Sequence, residues 1–249
     1  MRRSRTRQLL GWLGARWYSI LGAAGCFALA LGLLTSPRFR VEQIVVRRES
    51  PSAQAAITRA TQLSQVVGQN IFLLNATRVA REVASIPSVR SVRVIPHLPN
   101  VVEIELVERV PVAYWQTANG SFLVDDQGVV IAQAGDAPPP EVEGFVVHDV
   151  TGMELHPGDR LDAHTVIAAR ELAKALPAAG AGVQEVEYSA LGITLVTDGG
   201  WRVIFGEMQD LNEKLATFAA FAEMARAQNL KVALLDLRPK DRPYYRLAP

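Results

Sequence analysis

The chain has 249 residues, with 26 basic side chains against 25 acidic ones, four histidines and one cysteine. All the acids lie beyond Thr35 with 21 of the basic residues, so that part carries a formal −4 and lacks the basic balance that nucleic-acid binding needs. Cys26 stands alone, so no disulfide can form within the chain, and the 214 residues from Ser36 must be stabilised by a core sized for one or two ordinary domains.

The first element is apolar. Ile20 to Leu34 run fifteen positions without charge (ILGAAGCFALALGLL), and Trp17, Tyr18 and Ser19 extend the stretch back to Arg16. Crossing a bilayer takes roughly 18–20 apolar helical residues, and Trp17 to Thr35 meets that. Arg2, Arg3, Arg5, Arg7 and Arg16 precede it with no acid. The bias of arginine toward the cytoplasmic side therefore predicts a cytoplasmic tail (1–16), a single transmembrane helix (17–35) in the inner (cytoplasmic) membrane, and an extracytoplasmic remainder. Arg38, Arg40, Arg47 and Arg48 just beyond the stretch make the count five against four. A cleaved signal peptide is the competing reading. It is disfavoured because Leu33-Leu34-Thr35-Ser36-Pro37 lacks an A-x-A-like site, and Trp12, Trp17 and Tyr18 suit an interfacial belt. Gly22, Gly25 and Gly32 would allow close helix approach but lack GxxxG spacing, which favours a plain anchor.

Phe39 to Arg48 then reads as a strand. Pro51 opens a helical stretch with Ile57, Ala60, Ser64 and Val67 on one face, closed by Gly68. Asn75 is placed as an N-cap, Val79, Val83 and Ile86 form one helical face, and Pro87 ends that helix. Val89 to Ile95 and Val101 to Val107 alternate apolar and polar residues, so each is predicted to have one buried and one wet face. The cluster Pro96-His97-Leu98-Pro99-Asn100 turns the chain between them. The order is strand, helix, helix, strand, strand.

Beyond Pro111 the pattern is of short strands. Ser121 to Gln133 reads as a hairpin about Asp125-Asp126-Gln127-Gly128, whose acids are better explained by turn geometry than by a bound cation. Asp162 caps a helix bearing Val166, Ala169, Ala173 and Leu176, ended by Pro177. Strands are predicted at Val183–Ser189, Gly192–Thr197 and Trp201–Gly206, and an amphipathic helix from about Glu207 to Gln228 carrying Leu211, Leu215, Phe218, Ala222 and Ala225. Strands at Lys231–Arg238 and Tyr244–Leu247 close the chain.

A βααββ unit directly after one anchor resembles a POTRA domain. The strings Pro87-Ser88-Val89-Arg90-Ser91-Val92-Arg93-Val94, Pro99-Asn100 and Val107-Glu108-Arg109-Val110-Pro111-Val112-Ala113 resemble the FtsQ/DivIB family of bacterial cell division proteins. The resemblance runs to the C-terminus, where Asp236-Leu237-Arg238 precedes a turn and a final strand ending in Ala248-Pro249. It implies an α+β protein: a transmembrane helix, a POTRA domain (36–110) and a bent, mostly antiparallel β-domain with packed helices (111–249). It also implies a non-catalytic scaffold at the division septum, recruiting and regulating small single-pass coiled-coil proteins of the FtsB and FtsL type. In the family the partner adds a strand to the C-terminal edge, an arrangement that satisfies an edge's unpaired backbone groups. The matching residues are Asp236, Arg238, Tyr244, Tyr245, Arg246 and Leu247, with Arg238 at the family's arginine and Leu247 in place of a partner-contacting aromatic. Pro239 and Arg242 depart from the family's aromatic and glycine. Tyr244, Tyr245 and Leu247 could instead complete the core. The region Arg78 to Arg90 is a candidate second interface. A POTRA-containing envelope or transport assembly factor is the alternative function.

The sequence carries no sign of an enzyme, a cofactor or a small-molecule substrate. His97, His148, His156 and His164 have no metal-ligand partner three or four residues on. There is no phosphate loop and no G-x-S-x-G elbow. The strand pairs Glu103/Glu105 and Glu185/Glu187 are expected on solvent faces.

Overall fold

The computed structural model describes residues 5–48, 66–142, 146–178, 182–207, 210–239 and 242–249. The helical stretch expected from Pro51 lies almost wholly outside the described residues. Helix α1 (Arg5–Thr35) contains the apolar span Trp17–Thr35, none of which is buried by protein. Ser36 then caps a short 3-10 turn at Pro37–Phe39, so strand β1 begins later than expected, at Gln43–Arg48. Phe39 to Val41 instead bond to the 66–71 turn: Val41 N–H donates to the Gln69 carbonyl, and Ile71 N–H to the Phe39 carbonyl.

The chain forms two compact units, one of residues 1–85 with 89–108, the other of 86–88 with 109–249. In the first unit β3 (Val101–Glu108) is the centre of a three-stranded sheet, parallel to β1 and antiparallel to β2 (Val89–His97). Pro96 and His97 thus belong to β2 and not to the turn; the turn narrows to 98–100. Helix α2 (Ala76–Ala84) starts where the Asn75 Oδ1 accepts the Arg78 N–H at 2.9 Å. It buries Val79 and Val83 against β2, beside Val102, Ile104 and Leu106 of β3. It ends before Ile86, which belongs to the second unit.

One expectation for this sheet is corrected. Glu105 is part-exposed as the alternation requires, but Glu103 is only 8 % exposed. A central strand has neighbours on both sides: Arg47 of β1 pairs with Glu103, and His97 Nε2 of β2 lies 2.7 Å from it. Arg47 Nε and His97 Nε2 thus meet the two carboxylate oxygens from the strands on either side, and the two partners stay largely exposed.

The second unit is a nine-stranded mixed sheet in the order β12-β11-β10-β9-β8-β7-β4-β5-β6. The strands are β4 (Pro111–Thr117), β5 (Gly120–Asp125), β6 (Val130–Gln133), β7 (Val146–Asp149), β8 (Val183–Ser189), β9 (Gly192–Thr197), β10 (Arg202–Gly206), β11 (Val232–Asp236) and β12 (Tyr244–Leu247). The pairs β4/β7, β7/β8 and β10/β11 are parallel and the rest antiparallel. Helices α3 (Ala163–Ala178) and α4 (Leu211–Ala227) supply Val166, Ala169, Leu172, Phe218 and Ala222 to a core shared with Trp115, Val147, Leu195, Phe205 and Leu235. Asp162 Oδ2 accepts both the backbone N–H and the hydroxyl of Thr165, so it caps α3 as predicted. Those bonds lower its carboxyl below the ordinary value, against the opposing effect of burial.

The β5–β6 turn holds an ion pair not foreseen from sequence. Asp125 is fully buried and accepts the backbone N–H groups of Gln127 and Val129, which shapes the turn. Its other oxygen accepts from Arg109 Nη1 at 2.5 Å. A carboxylate removed from water requires such a partner, and Arg109 comes from the Glu108-Arg109-Val110-Pro111 string.

Candidate functional site: the C-terminal sheet edge

The two outer strands of the large sheet are treated differently. At one edge β6 has Val130 fully buried, and its backbone is bonded by the 156–160 turn: Val130 N–H donates to Asp159, and Gly158 N–H to the Val130 carbonyl. At the other edge all four residues of β12 are exposed. Strand β12 pairs with β11 on one side, Asp236 opposite Tyr244, Leu235 opposite Tyr245, Leu234 opposite Arg246 and Val232 opposite Leu247. It is the last strand of the sheet, so among the described residues the backbone groups on its other side have no ladder partner. Pro243 just before it cannot donate, which limits how far pairing can extend.

Successive side chains on this strand divide between the sheet's two faces. Tyr245 lies on the α4 side, its ring centroid 5.0 Å from that of Phe221, which in turn contacts Trp201. Half its surface still faces water, at 47 % exposure, so it rests on the core's rim without completing it. Leu247 shares that face and is 48 % exposed. Tyr244 and Arg246 take the opposite face.

Behind Tyr244 sits the tightest polar cluster of this edge. Asp236 is fully buried at the end of β11, and Arg238 folds back onto it. Arg238 Nε donates to both carboxylate oxygens (3.0 and 3.1 Å), Nη2 to Oδ2 (2.6 Å) and the Arg238 backbone N–H to Oδ1 (3.0 Å). Burial pushes the Asp236 carboxyl up, but the bonds from Arg238 and from the Tyr244 side chain outweigh it and hold the carboxyl below its ordinary value. The same bonds raise Arg238. The Asp-Leu-Arg spacing has a simple cause: residues i and i+2 of an extended chain share a face, so the arginine returns to its own strand's aspartate while Leu237 enters the core.

Of the six residues singled out from sequence, Asp236, Arg238 and Tyr244 thus form one cluster, whereas Tyr245, Arg246 and Leu247 are presented along the open strand. Sequence reasoning missed a cleft of about 480 Å³ beside Arg238, lined in part by Leu191, Glu207, Lys214, Thr217 and Pro243. Lys214 Nζ donates to the carbonyls of Phe205 (2.7 Å) and Glu207 (2.5 Å), tying the start of α4 to the end of β10, and burial pushes its amine down. It also missed Gly206, whose left-handed φ of 70° lets Arg238 pass where a Cβ would lie 2.6 Å from the arginine's Cγ. A glycine closing a strand was the available signal.

Among the described residues no group of histidine, cysteine, aspartate or glutamate side chains could hold a metal. The edge thus consists of an exposed outer strand, β12, with a buried ion pair behind it.

The family model of the FtsQ-type POTRA domain matches residues 39–109, and that of the C-terminal part of cell division protein FtsQ/DivIB matches residues 113–238. The chain is 31 % identical over 232 residues to cell division protein FtsQ of Chloroflexus aurantiacus, covering 92 % of this chain and 81 % of that protein. It is 31 % identical over 222 residues to the Chloroflexus aggregans FtsQ, covering 88 % and 78 %. Against the Mycobacteroides abscessus FtsQ it is 31 % identical over 199 residues, covering 78 % and 59 %. The matched region of the C-terminal model stops at Arg238, short of β12. A POTRA-type unit, a large β-sheet unit with helices, and relatives of the same name across most of the chain agree: this chain belongs to the FtsQ/DivIB family of cell division proteins.

Proposed function

We propose that this protein is a non-catalytic scaffold of the division septum, anchored in the cytoplasmic membrane by residues 17–35. In this reading residues 1–16 are cytoplasmic, while the POTRA domain (36–110) and the β-domain (111–249) lie outside. It recruits and regulates small single-pass coiled-coil proteins of the FtsB and FtsL type, one of which adds a strand to β12. Asp236 and Arg238 hold the end of β11 in place, and Tyr244, Tyr245, Arg246 and Leu247 provide the side-chain contacts. The observation that carries this reading is the asymmetry of the large sheet: β6 is covered by its own chain, whereas β12 keeps exposed apolar side chains and an edge that no described residue pairs with. An uncovered edge invites unwanted pairing and is normally blunted unless a partner occupies it.

The test is recovery of partners by the full chain solubilised from native membranes, next to a variant carrying Tyr245→Lys and Leu247→Glu. The native chain is expected to recover two small single-pass proteins. The variant is expected to lose them while its melting curve stays unchanged, because both side chains are half-exposed. Recovery by both would move the interface away from β12, to the Arg78–Arg90 region first. Depletion in cells is expected to give filaments with normal chromosome segregation; normal division would sink the scaffold role.

A further inference from the structure

The exit of the anchor is built in unusual detail. A helix leaves its last four carbonyls without helical partners, a burden that grows where water is scarce. In α1 the Thr35 hydroxyl donates to the Leu31 carbonyl at 2.7 Å, and Ser36 N–H to the Gly32 carbonyl at 3.0 Å. The Leu33 and Leu34 carbonyls both accept from Asn70 Nδ2, each at 2.9 Å. Asn70 comes from 36 residues further on. Its Oδ1 accepts the Phe72 N–H, its backbone bridges to Arg40, and its carbonyl accepts the Leu73 N–H. One side chain therefore fixes the 67–73 turn against the end of the apolar span.

That turn is apolar and uncovered. Val67 is 61 % exposed, Phe72 46 % and Leu73 66 %, although Ile71 between them is buried. Phe72 is held by Phe39, the ring centroids 5.2 Å apart. Exposed Arg38 and Arg40 stand on the connecting segment. The 98–100 turn lies at the same end of the sheet, since Gln43 pairs with Val101, and it carries Leu98, 64 % exposed.

Resting on the proposal that α1 spans the bilayer, we infer that this turn is seated on the outer face of that bilayer. Val67, Phe72 and Leu73 enter the boundary between headgroups and acyl chains, and Arg38 and Arg40 meet lipid phosphates. The distances require little more. Successive Cα atoms lie 3.8 Å apart, so Phe72 and Leu73 are within roughly 8–11 Å of Asn70 along the chain. Asn70 touches the penultimate residue of the span, and a headgroup layer is about 5–8 Å deep. Aromatic and aliphatic side chains beside cations are the composition that such an interface retains. A bare water-facing turn of this kind would be an exposed patch without a purpose.

The test uses the full chain in nanodiscs of phosphatidylethanolamine and phosphatidylglycerol, in a Cys26→Ala background. Nitroxide labels are placed singly by Phe72→Cys, Leu73→Cys, Leu29→Cys and Ser91→Cys, and collision with oxygen is compared with collision with a water-soluble nickel chelate. Leu29 reports the span, and Ser91 lies six residues up β2 from His97, about 20 Å further from the anchor end. The oxygen-to-nickel ratio at positions 72 and 73 is expected to be several-fold above that at 91 and below that at 29. If 72 and 73 match 91 while 29 reads deep, the turn faces water, is free for a protein partner, and the inference is overturned with the anchor intact. If 29 also matches 91, the spanning reading itself fails and takes the inference with it.

Discussion

Two buried carboxylates show how single residues organise the second unit. Asp125 is wholly enclosed, and among the described residues its cation is Arg109, itself about one-tenth exposed. Removing one member of such a pair leaves an uncompensated charge, which typically costs about 3–5 kcal/mol. Arg109→Ala is therefore expected to lower unfolding free energy by about that amount in urea titrations, with a smaller loss when Asp125→Leu is added. Asp236 gives a pH signature. Its native carboxyl is held below the ordinary value, so the stability it adds is present above its unfolded pKa of about 3.9 and disappears as pH falls through the lower native value. Melting curves of the native chain and Asp236→Asn are expected to differ at neutral pH and to converge as the pH drops below about 4. A constant gap down to strong acid would show that Arg238 does not act through that charge.

At the scale of elements, the end of β10 depends on backbone shape. Gly206 has φ of 70° and faces the Arg238 stem, while Gly192 across the β9–β10 pair would place a Cβ 2.4 Å from the Gly206 backbone. Gly206→Ala combines a left-handed penalty of roughly 1–2 kcal/mol with displacement of the arginine from Asp236. Unlike the β12 variant, it is expected to lose at least that much stability, and to weaken partner recovery as well by disturbing β11. Denaturant titration alongside the recovery assay separates the two effects. Much of this layer was legible beforehand. Alternation located β2 and β3 closely, the strands β8, β9 and β10 were also placed to within a residue, and Asn75 and Asp162 were recognisable caps, because these signals are local. Boundaries set by distant partners or by one residue's backbone conformation were not. The first strand starts late because Phe39–Val41 bond to residues 68–71, α4 starts at Leu211 instead of Glu207 with Asp210 before it in a left-handed conformation (φ 56°) that a helix cannot include, and Glu103 is covered by neighbours on two other strands. The open edge itself could be suspected from Pro243, but which sheet edge would be covered and which left bare required the strand order.

For the molecule as a whole, the division into two units does not follow the chain in one step. Residues 86–88 belong with the second unit, 89–108 with the first, and Arg109 returns to the second, its backbone N–H donating to the Ser88 carbonyl at 2.9 Å. A fragment of residues 111–249 would thus lack both the 86–88 stretch and the cation of Asp125. It is expected to melt well below the second-unit transition of the full chain, and Asp125→Asn should recover part of the difference in calorimetry; equal melting points would count against this. In terms of inheritance, the two matched regions are sequential, 39–109 and 113–238, so a single junction at 110–112 separates them. An exchange at that junction would carry Arg109 away with the first region and leave Asp125 in the second, so the recipient would inherit a buried acid without its cation.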